Sequence, residues 1–177
     1  MKKINLLVCT LAVAGLGFTA CSDDDNDSNS SKDTKIEGTY TLEEVNTPVA
    51  TDFDKDGDSH IDQTEESSCY NGGKVVLNAD NTFEYVITGI LVQDGNAGCR
   101  ESETKTGVYT VQPATDPKNA IITLTYTENN QTVTRQFTKV GEELSWTSPA
   151  IVSTYPARDA NGNAVEVAGA VEYVYER

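Results

Sequence analysis

Histidine, tryptophan and methionine are nearly missing, since the 177 residues include one of each. A single imidazole, that of His60, leaves no histidine cluster and no Ser/His or Cys/His catalytic pair that avoids this residue. We therefore predict that the protein is not an enzyme. Positive charge is also scarce, with 13 basic residues against 28 acidic ones and a net charge of −15. Because phosphate contacts need clustered lysines and arginines, this charge argues against a nucleic-acid partner and against unaided binding to anionic lipid.

The longest apolar run of the chain lies at its amino terminus. Lys2 and Lys3 precede an apolar stretch over residues 4–13, which is too short to cross a bilayer as a helix. Small residues follow and end at Cys21. This order resembles the signal of bacterial lipoproteins, in which a peptidase cuts just before the cysteine and the thiol is acylated. The resemblance implies a signal peptide over residues 1–20, lipid attachment at Cys21 and a membrane anchor, with a plain secretory signal as the alternative.

Residues 21–35 are polar and carry a cluster of four aspartates within residues 23–27. Such a segment has too few apolar side chains to order itself, which predicts an acidic disordered tether. An acidic cluster directly after the acylated cysteine resembles the export signal that sends some lipoproteins of Gram-negative bacteria to the cell surface. We therefore expect an outer-membrane lipoprotein of the cell envelope that faces the exterior. A simple hydrophilic spacer is the alternative.

The chain has four cysteines, of which Cys9 leaves with the signal peptide and Cys21 carries the lipid. Cys69 and Cys99 remain, and an even pair in an exported protein predicts a disulfide. Closing a loop of this length stabilises a protein by about 3–4 kcal/mol in the chain-entropy model. A metal site is the weaker alternative, because no further thiol pair and no histidine cluster accompany the two cysteines.

From residue 36 onward, apolar and polar residues alternate in short runs with turn signals between them, and no long helical stripe is present. The predicted strands cover residues 36–43, 74–78, 83–91, 105–111, 121–126, 132–138, a short run around 144–146, and 171–176. Hairpin-length turns join most of them. The pattern predicts an all-β domain over residues 36–177, a single eight-stranded up-and-down antiparallel barrel with a long acidic loop between strands 1 and 2. A β-sandwich is the alternative.

Short motifs in this domain carry a family resemblance. The first strand begins Gly38-Thr39-Tyr40, the first tight hairpin reads Asn78-Ala79-Asp80-Asn81-Thr82-Phe83, and a later strand repeats the pattern as Gly107-Val108-Tyr109. One cysteine lies in the long first loop and the other just before this repeat. Together these features resemble the lipocalin-like domain of bacterial lipoproteins, which implies a small β-barrel over residues 36–177.

The acidic loop has seven carboxylates within residues 52–66. Counted from Asp54, its spacing matches a twelve-residue calcium loop of the EF-hand type, without the flanking helices. The predicted ligands are Asp54, Asp56, Asp58, the backbone carbonyl of His60, Asp62 and a bidentate Glu65. Position 6 holds Ser59 instead of glycine. A register starting at Asp52 places Gly57 there, but then Gln63 takes the position of the bidentate glutamate. We predict a structural Ca²⁺, with a solvated loop that binds no metal as the alternative.

The interior of the predicted barrel has one charged side chain, Arg135, on an otherwise apolar strand face. We interpret it as a snorkelling or strand-end arginine, with an anion anchor inside the barrel as the alternative.

The sequence as a whole leaves two functions open. The first is a tethered barrel that binds a small ligand. The second is a structural or interaction protein with a filled barrel, whose calcium-ordered loops contact envelope or host proteins not identified by the sequence. An eight-stranded barrel can be just full or hold one small ligand, so interior volume separates the two.

Overall fold

The computed structural model describes residues 34–177, so the signal peptide, the lipid attachment at Cys21 and nearly all of the tether lie outside the described residues. The strands are β1 (Gly38–Thr51), β2 (His60–Asp62), β3 (Lys74–Leu77), β4 (Thr82–Ile87), β5 (Ile90–Gln93), β6 (Asn96–Cys99), β7 (Glu103–Pro113), β8 (Asn119–Glu128), β9 (Gln131–Val140), β10 (Glu143–Thr147), β11 (Thr154–Arg158), β12 (Ala164–Ala168) and β13 (Glu172–Glu176). A short helix α1 (Gln63–Glu66) and a 3-10 turn (Ser68–Tyr70) lie within the acidic loop.

Eight of these strands close into an antiparallel barrel in the order β1, β3, β4, β7, β8, β9, β10 and β13, and β13 pairs back onto β1. They are the eight strands that the alternation predicts, and each pairs with its neighbour along the sequence, apart from the insertions. The prediction of an all-β, eight-stranded up-and-down barrel is therefore confirmed. β2 adds an extra strand to β1, and β5–β6 and β11–β12 form separate hairpins.

The two ends of the barrel are built differently. One end, here called the closed end, has short connections at residues 78–81, 114–118 and 141–142, and the described chain enters it before Gly38. Arg177 holds this entry segment, because its Nη1 donates to the carbonyl oxygens of Lys35 at 2.8 Å and Glu37 at 3.2 Å. The other end, here called the mouth, has the long connections, which contain the acidic loop and both hairpins.

The barrel core follows from the alternation along each strand, since every second side chain points inward. Its buried members are Tyr40, Val75, Leu77, Phe83, Tyr85, Tyr109, Ala120, Ile122, Leu124, Tyr126, Phe137, Leu144 and Tyr175. A second cluster lies under the connections at the mouth and contains Val45, Tyr70, Tyr155, Ala157 and Val171. The inserted hairpins are thus packed onto the barrel through an apolar core of their own.

The prediction of one continuous strand over residues 83–91 is wrong beyond Ile87. The Thr88 hydroxyl donates to the carbonyl oxygen of Tyr70 at 2.8 Å, which holds the chain against the 3-10 turn. Gly89 follows with φ +150°, a value that favours glycine, and directs the chain out of the barrel into β5. The two runs that look like one strand in the sequence therefore belong to different sheets.

Candidate functional site

The acidic loop is tied to the domain at its start. Phe53 is buried, and the guanidinium carbon of Arg158 lies 4.4 Å from the centroid of its ring. The Nε of Arg158 donates to the carbonyl oxygen of Phe53 at 2.9 Å. The carboxylate of Glu66, which is 3 % exposed, accepts the backbone N–H of Phe53 at 2.6 Å and that of His60 at 3.0 Å. Glu66 thereby joins the two ends of the segment that holds Asp54, Asp56 and Asp58.

The first half of the predicted calcium loop is exposed, and its turns are formed by hydrogen bonds between aspartate side chains and nearby backbone N–H groups. Asp54 Oδ1 accepts the backbone N–H of Asp56 at 3.1 Å, and Asp56 Oδ1 accepts that of Asp58 at 2.9 Å. Lys55 and Gly57 between them have φ of +68° and +104°. The chain therefore winds tightly through the three predicted carboxylate ligands, although their side chains do not converge on one point.

In the second half of the predicted loop, Asp62 and His60 form hydrogen bonds with other protein groups. Asp62 caps α1, where its Oδ1 accepts the backbone N–H of Thr64 at 3.0 Å and that of Val45 at 2.9 Å. The carbonyl oxygen of His60 accepts Gln63 Nε2 at 3.3 Å, and Glu65 is exposed on the outer face of α1. Within residues 34–177, no group of three or more carboxylates joins Asp62 or Glu65 to Asp54.

A different acidic group forms where the loop leaves and rejoins the barrel. Asp52, Asp54 and Glu66 each place one carboxylate oxygen within 4.8 Å of the others. Asp52 Oδ1 is buried and accepts no hydrogen bond from residues 34–177. Three carboxylates at this spacing repel one another, and a hard cation such as Ca²⁺ relieves that repulsion. Asp54 is the one residue that this group shares with the predicted ligands.

The predicted disulfide is confirmed. Cys69 and Cys99 are bonded, with their Cα atoms 4.9 Å apart across 30 positions of sequence. Cys69 lies in the 3-10 turn and Cys99 ends β6, so the bond ties the acidic loop to the β5–β6 hairpin. Both thiols are consumed, which removes the alternative of a metal site at this pair.

The mouth of the barrel contains a cavity of about 290 Å³. Inward-facing side chains of six barrel strands line it, and residues at the start and end of the connection between β10 and β11 complete its rim. The lining consists of Tyr85, Ile87, Arg100, Glu103, Lys105, Tyr126, Glu128, Arg135, Trp146, Ser148, Ser153, Thr154 and Tyr173. It is aromatic and polar, with charged groups of both signs.

Arg135 occupies the inner wall of this cavity. Its guanidinium carbon lies 4.1 Å from the centroid of the Trp146 ring and 5.3 Å from that of Tyr85, and its Nη1 donates to the Tyr85 hydroxyl at 3.0 Å. Trp146 in turn stacks on Tyr173, with centroids 5.1 Å apart and planes within 4°. These contacts hold the cation inside the mouth, which supports the alternative of an anion anchor over that of a snorkelling arginine.

The other cations of the cavity have carboxylate partners. Lys105 donates to both Glu103 and Glu128, and Arg100 lies 3.8 Å from Glu103. The bond from Lys105 is the largest cause that holds the pKa of Glu128 below its ordinary value. Within residues 34–177, no carboxylate lies within ion-pair distance of Arg135.

Below the cavity the barrel is filled. Tyr85, Phe137 and Tyr175 meet edge to face with centroids 5.9–6.3 Å apart, and each is at most 2 % exposed. Leu124 and Leu144 are fully buried beside them. This layer separates the mouth from the closed end, so the open volume is confined to one end of the barrel.

No protein-family model, no curated protein and no solved structure matches the chain. Among residues 34–177, none of the helices has the length and apolar character needed to cross a membrane. The candidate site is therefore judged on its own geometry.

The spacing of residues in the sequence does not predict all members of the acidic group or all contacts of the mouth cavity. Glu66 and Asp52 flank the predicted calcium register, and their approach to Asp54 depends on how the loop closes. The loop carries a signal for them only in its excess of carboxylates. Arg135 is visible as a charge on an apolar face, but its stacking on Trp146 requires the registers of β9, β10 and β13.

Proposed function

We propose that this chain is an acylated lipoprotein of lipocalin-like fold, anchored in the outer membrane of a Gram-negative cell and facing the exterior. In this proposal its barrel binds one small ligand at the mouth and catalyses no reaction. The observation that carries it is the mouth cavity of about 290 Å³ with Arg135 held in its wall. Ligand sites are typically concave and combine aromatic walls with a few convergent polar groups, as this cavity does.

The position of the chain entry supports an anchored receptor of this kind. The described chain enters at the closed end, where Arg177 holds residues 35 and 37. An anchor at Cys21 therefore attaches to the end opposite the mouth. The tether is then joined to the barrel at the end away from the cavity, which leaves the mouth accessible to molecules outside the cell.

We also propose a structural Ca²⁺ in the loop over residues 54–65, held by the ligands Asp54, Asp56, Asp58, the carbonyl oxygen of His60, Asp62 and Glu65. The tight winding through the first three aspartates and the acidic group at Asp52, Asp54 and Glu66 support a cation in this region. Extracellular calcium sites of this type bind at about 10⁻⁴–10⁻³ M. At such affinities the ion orders the loop at the mouth and does not signal.

A second function is favoured by a separate observation. Ile151 and Val152, in the connection between β10 and β11, are 96 % and 79 % exposed. Exposed apolar side chains at a loop tip are typical of a contact with another protein. Together with the filled lower barrel, they support the alternative of an interaction protein that contacts envelope or host proteins through its mouth loops.

The first function is tested with the intrinsic fluorescence of Trp146, which is the one tryptophan of the chain and lines the cavity. The full-length protein is purified from membranes, and the mass of its amino-terminal peptide reports acylation at Cys21. A library of small polar and apolar compounds is then titrated. We expect a saturable fluorescence change for one chemical class. A library that produces no saturable change contradicts ligand binding and leaves the interaction protein.

A further inference from the structure

The charge balance of the mouth cavity differs from that of the whole chain. The cavity lining has three cations and two carboxylates, in a protein whose net charge is −15. Both carboxylates are engaged with Lys105 and Arg100, so the excess positive charge resides on Arg135. Arg135 is half-buried and interacts with Glu128 only beyond ion-pair distance, so an anion bound in the cavity supplies the direct counter-charge that this cation lacks.

Arg135 has the donors to bind such an anion. A guanidinium has five N–H donors in a planar fork, and Arg135 donates one hydrogen bond, of 3.0 Å, to the Tyr85 hydroxyl. The fork matches the two oxygens of a carboxylate, which it binds with two parallel hydrogen bonds. Contacts with the rings of Trp146 and Tyr85 hold the guanidinium in place before a ligand arrives.

Side chains with hydroxyl groups line the same cavity. The hydroxyls of Tyr126 and Tyr173 line the cavity and form no hydrogen bond with residues 34–177. Burial raises the pKa of both tyrosines above the ordinary value, so both hydroxyls keep their protons at neutral pH. Ser153 lies at the rim. These groups can donate to, and accept from, hydroxyls of a bound molecule.

The shape of the barrel limits the size of the ligand. The cavity volume corresponds to roughly ten water molecules at about 30 Å³ each. The fully buried rings of Tyr85, Phe137 and Tyr175 block any path toward the closed end. An extended alkyl chain therefore has no space below the mouth, and a compact polar molecule fits.

We propose that the ligand is a small hydroxylated carboxylate of the sugar-acid class, and that Arg135 binds its carboxylate. This inference rests on the proposed function, because it names the chemistry of the ligand that the mouth takes.

The experiment compares D-glucuronate with its neutral counterpart D-glucose, and with octanoate as a carboxylate that has no hydroxyls. Fluorescence of Trp146 in the full-length protein reports binding of each compound. We expect saturable binding of glucuronate, weakened by added salt, and binding of glucose and octanoate at least tenfold weaker. Loss of a hydrogen-bonded charge pair has this magnitude.

Variants assign the effect to Arg135. We expect Arg135→Gln to weaken glucuronate binding roughly tenfold or more, and Arg135→Lys to weaken it less, because lysine keeps the charge and loses the planar fork. Lys74→Gln is the matched control, since Lys74 points outward from β3 and pairs with Glu84 at 3.5 Å. It should bind glucuronate as the parent does. Thermal unfolding checks that each variant is folded. If Arg135→Gln does not fold, the comparison of Arg135→Lys with the parent tests the assignment.

The outcomes separate this inference from the function beneath it. Equal binding of glucose and glucuronate, unchanged in the folded Arg135 variants, overturns the carboxylate assignment while ligand binding stands. Tighter binding of octanoate than of glucuronate overturns the hydroxylated class. If neither these probes nor any library compound changes the fluorescence of Trp146, ligand binding at the mouth fails and this inference fails with it.

Discussion

Glu65 and Glu66 are adjacent in the sequence and differ completely in their surroundings. Glu65 is exposed, whereas both oxygens of Glu66 accept backbone N–H groups of the acidic loop. The calcium register selects Glu65 as the bidentate ligand, and the geometric group selects Glu66. Because Glu66 already satisfies loop donors that would otherwise be buried unpaired, it stabilises the loop with or without a cation.

Calorimetric titration of the chelator-treated protein with Ca²⁺ decides between the two ligand sets. We expect one-site binding that is lost in Asp54→Ala and Glu65→Ala and kept in Asp52→Asn. The reason is that the predicted register includes Asp54 and Glu65 as ligands and does not include Asp52. Loss in Asp52→Asn with retention in Glu65→Ala moves the site to the group of Asp52, Asp54 and Glu66. A parent protein that releases no heat at millimolar Ca²⁺ makes the loop a solvated acidic segment.

At this scale the sequence predicts contacts between near neighbours better than contacts across the loop. The spacing of Asp54, Asp56 and Asp58 is a local property, and the backbone contacts among them are local as well. Asp52 and Glu66 approach each other across the closed loop, and the loop is closed by Phe53 and Arg158, which are 105 positions apart. No local pattern contains that contact, so it could not be predicted from spacing.

Among the elements, β7 and β8 leave no room for a side chain at Gly107. A Cβ atom at this position would lie 2.1 Å from the carbonyl oxygen of Thr125 and 3.1 Å from the ring of Phe83. Backbone cannot yield to that contact as a flexible side chain can. The glycine of the second Gly-x-Tyr motif is therefore required by strand packing.

We expect Gly107→Ala to lower the free energy of unfolding by about 1–3 kcal/mol, the usual cost of overpacking. Gly98→Ala in β6 is the matched control, because a Cβ atom there meets no heavy atom within 4 Å. Urea unfolding of both variants measures the difference. Equal unfolding midpoints for Gly107→Ala and the parent would show that the two strands can separate without cost.

The eight barrel strands could be predicted because apolar and polar residues alternate within each strand and because most strands are joined by short turns. The turn before β4 is an example, since Asp80 accepts both the backbone N–H and the hydroxyl of Thr82, and Asn81 has φ +63°. The hairpins β5–β6 and β11–β12 were not predicted. The strands of β5–β6 are short and largely exposed, so their alternation is weak, and β11 contains Pro156, which argues against a strand in the sequence. Both hairpins pack on the second cluster at Tyr70 and Tyr155.

Across the whole molecule, acidic residues outnumber basic ones by 28 to 13. One group of carboxylates lies on the outside of the closing seam between β1, β10 and β13, where Glu143 pairs in register with Glu176. Burial, and then the charges of Glu172, Glu176 and Glu44, raise the pKa of Glu143 above its ordinary value of 4.5. The folded state therefore binds this proton more tightly than the unfolded state.

This difference makes stability depend on pH in a defined direction. The favourable contribution of Glu143 is complete below its ordinary pKa and is lost as the pH rises through the raised value in the folded protein. We expect Glu143→Gln to be more stable than the parent at neutral pH, with a smaller gain in mildly acidic buffer. Glu101→Gln, which removes an exposed carboxylate, is the control for net charge. A gain in stability of equal size in both variants would show that the effect comes from net charge and not from the surroundings of Glu143.

The bond between Cys69 and Cys99 has a consequence for cleavage by proteases. It encloses β3 to β6, including the hairpin tip at Asp94 and Gly95, where every residue is exposed. A single cut at that tip leaves two pieces of chain that stay covalently joined, each contributing strands to the same closed barrel. The molecule is therefore topologically protected at its most accessible hairpin, and release of a fragment requires a broken peptide bond and a reductant together.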